Sequence, residues 1–419
     1  MTADEAGHFG GAAESAGKNE QFEIEAQPDG KWALKSAYGY YAGGTGEELT
    51  AYTKTLAEDR LWTVQLAMHP QVCMRNVNRK RYVHLKGDVF NTDEDVPWGD
   101  DAMITVRFFE EGKYAFEASD GRFLSDNGNL KANADADCRY VIEFWGGQIA
   151  LKGSNGKYVT AVGGPGTLKA SKQTVGKDEL FVMEDSHPQV KLLAWNGRRV
   201  SVKTGVEVSA SQDTVEDTEL FQMEINKSTK KWSFRTNKST FWTMGDDGTI
   251  SNNFSGERRN TEWFDVVWLG PKLAIKAANG KFVMTKKNGG LTATAAEASD
   301  DATYIFEIIN RPKLVLRGEH GFVGTQPSGP LECNKSVPEV YSMEITKGVC
   351  RIKGANGKWW KVGPNGVGCT GSEPDQFFVE LVEHSKMLIK HGDKYLQGSQ
   401  NGAFTCTGTK ADASTLWEY

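Results

Sequence analysis

Leu273-Ala274-Ile275-Lys276-Ala277-Ala278-Asn279-Gly280-Lys281-Phe282-Val283 opens the stretch that decides the fold of this 419-residue chain. Leu273 and Ile275 alternate with Ala274 and Lys276, the period of a half-buried strand. Asn279-Gly280 then reverses the chain, because both residues tolerate positive φ. Phe282-Val283 begins the returning strand. A second turn, Asn288-Gly289-Gly290, leads to Leu291-Thr292-Ala293, and Tyr304-Ile305-Phe306-Glu307-Ile308 closes a unit of four short strands.

The same pattern recurs along the chain. Ile149-Ala150-Leu151-Lys152 leads to Asn155-Gly156-Lys157-Tyr158-Val159, and Arg351-Ile352-Lys353 leads to Asn356-Gly357-Lys358-Trp359-Trp360. Ala115-Phe116-Glu117 leads to Asp120-Gly121-Arg122-Phe123-Leu124, and Leu388-Ile389-Lys390 to Gly392-Asp393-Lys394-Tyr395-Leu396. Weaker copies start near Trp32, Val72, Val190, Trp232 and Leu314. That makes about ten copies at a spacing of roughly 35 to 40 residues, which settles the architecture before any other feature.

Two architectures repeat in this way. A propeller with one copy per blade closes at roughly four to eight blades, so ten copies fit poorly. A β-trefoil seals three lobes into one barrel and demands a second, longer period. His69-Pro70-Gln71-Val72 recurs as His187-Pro188-Gln189-Val190 and more loosely as Arg311-Pro312-Lys313-Leu314, the prolines 118 and then 124 residues apart. The expected fold is therefore all-β: tandem β-trefoils, three complete (70–188, 189–310 and 311–419), preceded by a partial first trefoil of about one lobe at 19–69. Residues 1–18, rich in Gly, Ala and Glu, read as disordered. A lone lobe cannot bury its apolar face, so 19–69 is expected either to lean on a neighbour or to be loosely ordered.

Composition excludes several classes. The chain is 39% hydrophobic and 25% charged, with 46 glycines, as a turn-dense soluble protein requires. No apolar run approaches the roughly 20 residues of a membrane span. The start of the chain has neither the basic residues nor the apolar core of a signal peptide. Cys73, Cys138, Cys333, Cys350, Cys369 and Cys406 show no Cys-x-x-Cys spacing, which reads as buried thiols in a reducing, cytoplasmic compartment. Seven dispersed histidines and the lack of any His-Glu-x-x-His, Gly-x-Ser-x-Gly or phosphate loop argue against an enzyme, a metal or another cofactor. A net charge of −6 without a continuous basic stripe argues against nucleic acid.

The strings His69-Pro70-Gln71-Val72, Arg79-Lys80-Arg81-Tyr82, Asp95-Val96-Pro97-Trp98-Gly99, Gly176-Lys177-Asp178-Glu179-Leu180-Phe181, Arg317-Gly318-Glu319-His320-Gly321-Phe322 and Leu416-Trp417-Glu418-Tyr419 resemble fascin from about residue 20 onward. Several are not demanded by a trefoil. The resemblance implies a monomeric cross-linker that binds filamentous actin and bundles it, in the cytoplasm, at the actin cytoskeleton and cell protrusions. It also implies that most of the first trefoil is absent, with bundling impaired. By matching position, the filament-contacting residues are His69, Arg79, Lys80, Arg81, Lys281, Lys286, Arg311, Arg317, Lys386 and Lys390, with Glu319 as an acidic member. Lys287 extends the Lys286 cluster. Such clusters need a reason, since like charges repel.

The alternative is a carbohydrate-binding tandem trefoil. Trp359-Trp360, Phe241-Trp242 or Trp195-Asn196 would then stack on sugar rings, although Trp359 and Phe241 occupy places that sister copies fill with core aromatics.

Overall fold

The computed structural model describes residues 1–11, 13–44, 48–109 and 111–419. Ala12, inside the stretch read as disordered, lies outside the described residues. Strands and a few short 3-10 turns make up the regular structure, and among the described residues no helix is long and apolar enough to cross a membrane.

The deciding stretch forms Lys272–Lys276, Phe282–Thr285, Leu291–Ala295 and Thr303–Ile308. Its Asn279-Gly280 turn is held by the asparagine side chain. Asn279 Nδ2 donates to Ala293 O at 2.9 Å, while Oδ1 accepts from Lys281 N at 3.0 Å. Gly280 takes φ 74°, where a side chain would be strained. Asn155, Asn196 and Asn356 repeat both bonds in their own copies, onto Ala170, Ala210 and Cys369. One detail differs from the alternation. Ala274 is as fully buried as Leu273 and Ile275, and so are Ala33, Ala115 and Ala150 at the same place in sister copies. The outer face of this strand is covered, and it takes a small residue.

Barrels close by threes. In 71–185 a ring runs through Gln71–Asn76, Ile104–Phe108, Tyr114–Glu117, Val141–Trp145, Gln148–Lys152 and Phe181–Asp185, then back to Gln71–Asn76. Its one link without a ladder is an isolated bridge in which Tyr114 N donates to Tyr140 O at 2.9 Å and Tyr140 N to Tyr114 O at 2.8 Å. Trp232 with Phe264 and Cys350 with Phe377 make the equivalent reciprocal bridges in 189–308 and 313–418. The three prolines of the long period do one job each. The carbonyls of Pro70, Pro188 and Pro312 accept from Val106 N, Met223 N and Met343 N at 2.7, 2.8 and 2.9 Å.

The chain divides into two compact units, residues 1–97 with 104–184, and residues 98–103 with 185–419. In the first unit the four-stranded sheet Phe22–Ala26, Trp32–Ser36, Tyr41–Gly44, Leu49–Thr53 is a single lobe with its own Trp32–Trp62 bridge. It leans on the 71–185 barrel. Trp32 is buried against Phe144, ring centroids 5.1 Å apart, and Tyr114 Oη donates to Val64 O at 2.8 Å. The turns at Gly30 and Gly112 meet so closely that a Cβ on Gly112 would lie 2.4 Å from Gly30 O. Residues 2–10 are not coil. Thr2–Ala3 pairs with Phe9–Gly10, His8 bridges to Thr50, and Ala51 N donates to Gly7 O at 3.0 Å. Composition hid this because a lobe edge recruits main-chain groups regardless of side chain.

In the second unit two closed barrels share a seam. Lys347 N donates to Glu307 Oε1 at 2.8 Å. Gly348, at φ 76°, sits so near Pro271 that an added Cβ would lie 1.9 Å from its carbonyl oxygen. All six cysteines are free thiols, five of them buried.

Replacing Asn279 by Ala removes two hydrogen bonds from one turn. At about 1 kcal/mol each, the urea unfolding transition of the second unit should drop by about 1 to 2 kcal/mol. An unchanged transition would show that the glycine alone holds the turn.

Candidate functional site

The turn after Gln71–Asn76 carries Arg79-Lys80-Arg81. Buried Asn76 organises it: Nδ2 donates to Asp178 O at 2.8 Å and Oδ1 accepts from Arg79 N at 3.0 Å. The Arg79 guanidinium turns inward and donates to the carbonyls of Ala161, Gly163 and Gly164 at 3.2, 2.6 and 3.0 Å. It braces the neighbouring Tyr158–Val162 hairpin. Arg81 pairs with Asp95. Lys80 is exposed, makes no ion pair among the described residues, and stands at φ 56°, a region that L residues other than Asn and Asp seldom occupy. His69 is half-buried, its Nδ1 accepting from Gln71 N at 3.3 Å.

A second basic face lies on the 189–308 barrel. Lys281, Lys286 and Lys287 are all exposed and, among the described residues, form no ion pair. Lys286 and Lys287 occupy a tight turn in which Gly289 N donates to Lys286 O at 2.8 Å. Asp247 lies near enough to feel Lys286. Its carboxyl is held below the usual range by the Thr249 main-chain and side-chain hydrogen bonds, and to a lesser degree by that lysine.

The last barrel gathers Arg317, Glu319 and Lys386 around an open pocket of about 270 Å³, also lined by Gly318, Ala413, Leu416 and Glu418. Strand register puts Glu418 opposite both Arg317 and Lys386, so one carboxylate stands between two cations. The Arg317–Glu418 distance is 3.7 Å, and Lys386 also lies 3.6 Å from Glu383. Lys390, four residues along the same strand, pairs with Glu380 at 2.7 Å and lies over the Tyr395 ring. Burial opposes the charge on Lys390, but the Glu380 carboxylate and the Tyr395 side chain together outweigh it and raise the pKa above the ordinary lysine value. Sequence reading missed Glu418 because its partners lie across strand pairings about 30 and 100 residues away.

Arg311 is a correction to the picture of a surface contact. It is 2% exposed, at the seam of the second unit. Its guanidinium donates to Ser186 Oγ and to Asn310 O, and lies 5.2 Å from the centre of the Tyr419 ring. A group so enclosed packs the seam and presents no exposed cation there.

Beside it lies a cluster the sequence did not announce. The His187 and His384 rings are 5.0 Å apart, and His384 Nε2 is 3.2 Å from Asp185. Glu224 meets Arg258 at 2.6 Å and Arg235 at 3.5 Å. Burial pushes the His187 imidazole down, and His384, Arg258 and Arg311 push the same way against the pull of Glu224, leaving a pKa of about 4.

Of the aromatics proposed for sugar stacking, Trp242 and Trp360 are wholly enclosed and Phe241 is buried. Trp359 is half-buried beside Lys353. Trp195 is 51% exposed. Among the described residues no group of three or more His, Cys, Asp and Glu is placed to hold a metal ion.

His187 gives the second unit a pH dependence. Unfolded, it takes its proton near the ordinary value of about 6.5; folded, only near 4. Between those values the unfolded chain holds more protons, so this contribution to stability is complete above about pH 6.5 and lost as pH falls toward 4. Urea titrations at pH 7.5 and 5 should show the loss, and His187→Gln should reduce it. An equal slope in both proteins would place the dependence elsewhere.

Comparison with known proteins agrees with this geometry. The fascin domain model matches residues 72–183, 195–308 and 318–419, one match per closed barrel. Fascin-2 of Bos taurus is 38% identical over 426 residues, covering all of this chain and 86% of that protein. Fascin-2 of Homo sapiens is 39% identical with the same coverage, and fascin of Strongylocentrotus purpuratus is 34% identical over 418 residues, covering 95% of this chain and 83% of that protein. Three sealed trefoils, each matched by the same domain model, place this chain in the fascin family.

Proposed function

We propose that this protein is a non-catalytic, monomeric cross-linker of actin filaments, working in the cytoplasm at the actin cytoskeleton and in cell protrusions. The observation that carries the reading is one fascin domain match on each of three closed barrels. Membership of the family supports actin bundling. The geometry supports multivalency: cations stand on separate barrels, exposed at Lys80 and at Lys281 with Lys286 and Lys287, and half-buried around the Arg317–Lys386 pocket. Against an acidic filament, such local clusters steer binding although the net charge is −6.

Bundling needs two filament-binding faces at once, and losing one valence removes cross-linking outright. The sheet of residues 22–53 is one lobe rather than a sealed barrel. A polypeptide of these 419 residues therefore binds filaments but bundles them poorly. Sedimentation with filaments at two speeds separates the two properties. The chain should appear in the high-speed pellet, with little filament in the low-speed pellet. Full bundling at low speed contradicts the impairment, and absence from the high-speed pellet contradicts actin binding.

The free lysines and the braced arginine should separate in the same assay. Lys286→Glu should weaken filament binding by about 3- to 10-fold with an unchanged urea midpoint. Arg79→Ala should lower the urea midpoint, since it frees three carbonyls. The reverse pattern would exchange their roles.

A further inference from the structure

Trp195 sits where the fold asks for nothing large. It is the residue before Asn-Gly in its copy, in a turn closed by Ala194 N to Arg198 O at 3.0 Å and Gly197 N to Ala194 O at 3.0 Å. The same two bonds close the turns that carry Ser154, Ala278 and Ala355 in sister copies. Those three positions hold a hydroxymethyl or a methyl. Here an indole occupies the site, 51% exposed.

The ring is exposed but not loose. Its Nε1 donates to Thr285 O at 3.0 Å, the residue immediately before Lys286-Lys287. Both turns ride on the strand Ser209–Gln212: Asn196 Nδ2 donates to Ala210 O at 3.1 Å, and Ala210 N donates to Gly289 O at 2.7 Å. The indole and the two lysines are thus fixed on one rim. A rigid aromatic loses little side-chain entropy on docking, and tryptophan is enriched among the residues that dominate interface energy.

We propose that Trp195 is an anchor of the filament-binding face formed by Lys286 and Lys287, seated in a shallow apolar depression on the acidic filament surface. The inference rests on the actin-filament reading above and extends it. Charge complementarity selects the occupant: the lysines attract and orient an acidic face, while the indole supplies the apolar contact they lack. Substitution to the residue that Ala278 and Ala355 represent should leave the fold intact.

The test is high-speed sedimentation of the whole chain with actin filaments at low and moderate salt, for the parent, Trp195→Ala and Trp145→Ala. Trp145 is a control of similar exposure, 46%, on a different barrel. Trp195→Ala should bind at least about tenfold more weakly at both salts, because an apolar contact is not screened, with the urea midpoint lowered by no more than the one lost bond to Thr285 O accounts for. Trp145→Ala should stay within about twofold of the parent. Trp195→Ala binding within twofold of the parent would overturn the proposal, as would an equal loss in Trp145→Ala. A parent that does not pellet would take down the filament reading and this inference with it.

Discussion

Each barrel depends on one reciprocal main-chain bridge. Tyr114 with Tyr140, Trp232 with Phe264 and Cys350 with Phe377 each exchange two hydrogen bonds where the ring has no ladder. In the first two barrels, removing the bridge would open a six-strand ring into a twisted sheet with two bare edges, and edges attract other chains. All six residues are aromatic or sulfur-bearing core members wholly or almost wholly buried, so the polar bond and the apolar core close together. The side chains at these sites vary while the main-chain exchange does not. Backbone geometry, rather than a conserved contact, is what three dissimilar lobes have in common.

Much of this could be read from the residues. Asn279-Gly280 and its sisters announce the turn because only a short amide can bond both forward to Lys281 N and across to Ala293 O. Pro70, Pro188 and Pro312 announce the longer period because each leads the first strand of a barrel and offers the same carbonyl. What the sequence hid is non-local or independent of side chain. The ladder at residues 2–10 has no hydrophobic alternation to reveal it. Ala274 looked outward-facing, and only the assembled barrel shows that its side is covered.

For the candidate site the limit was different. A row such as Arg79-Lys80-Arg81 reads as three equivalent cations, yet the turn spends them differently: one on carbonyls, one on Asp95, and one left outward at positive φ. Arg311 likewise reads as a surface charge and lies in a seam with Ser186 and Tyr419. Charge patterning locates a cluster. Which member remains free to meet a partner depends on acceptors brought in from 14 to more than 100 residues away.

The central claim is that these reciprocal bridges seal three barrels and that the N-terminal lobe carries the same bridge without a sealed ring. Native-state amide hydrogen exchange, resolved to single residues, tests it directly. The amides of Tyr114, Tyr140, Trp232, Phe264, Cys350 and Phe377 should exchange only at the rate of each barrel's global opening, and those of Trp32 and Trp62 should exchange faster. Rapid exchange at the first six, or equal protection at all eight, would contradict the account.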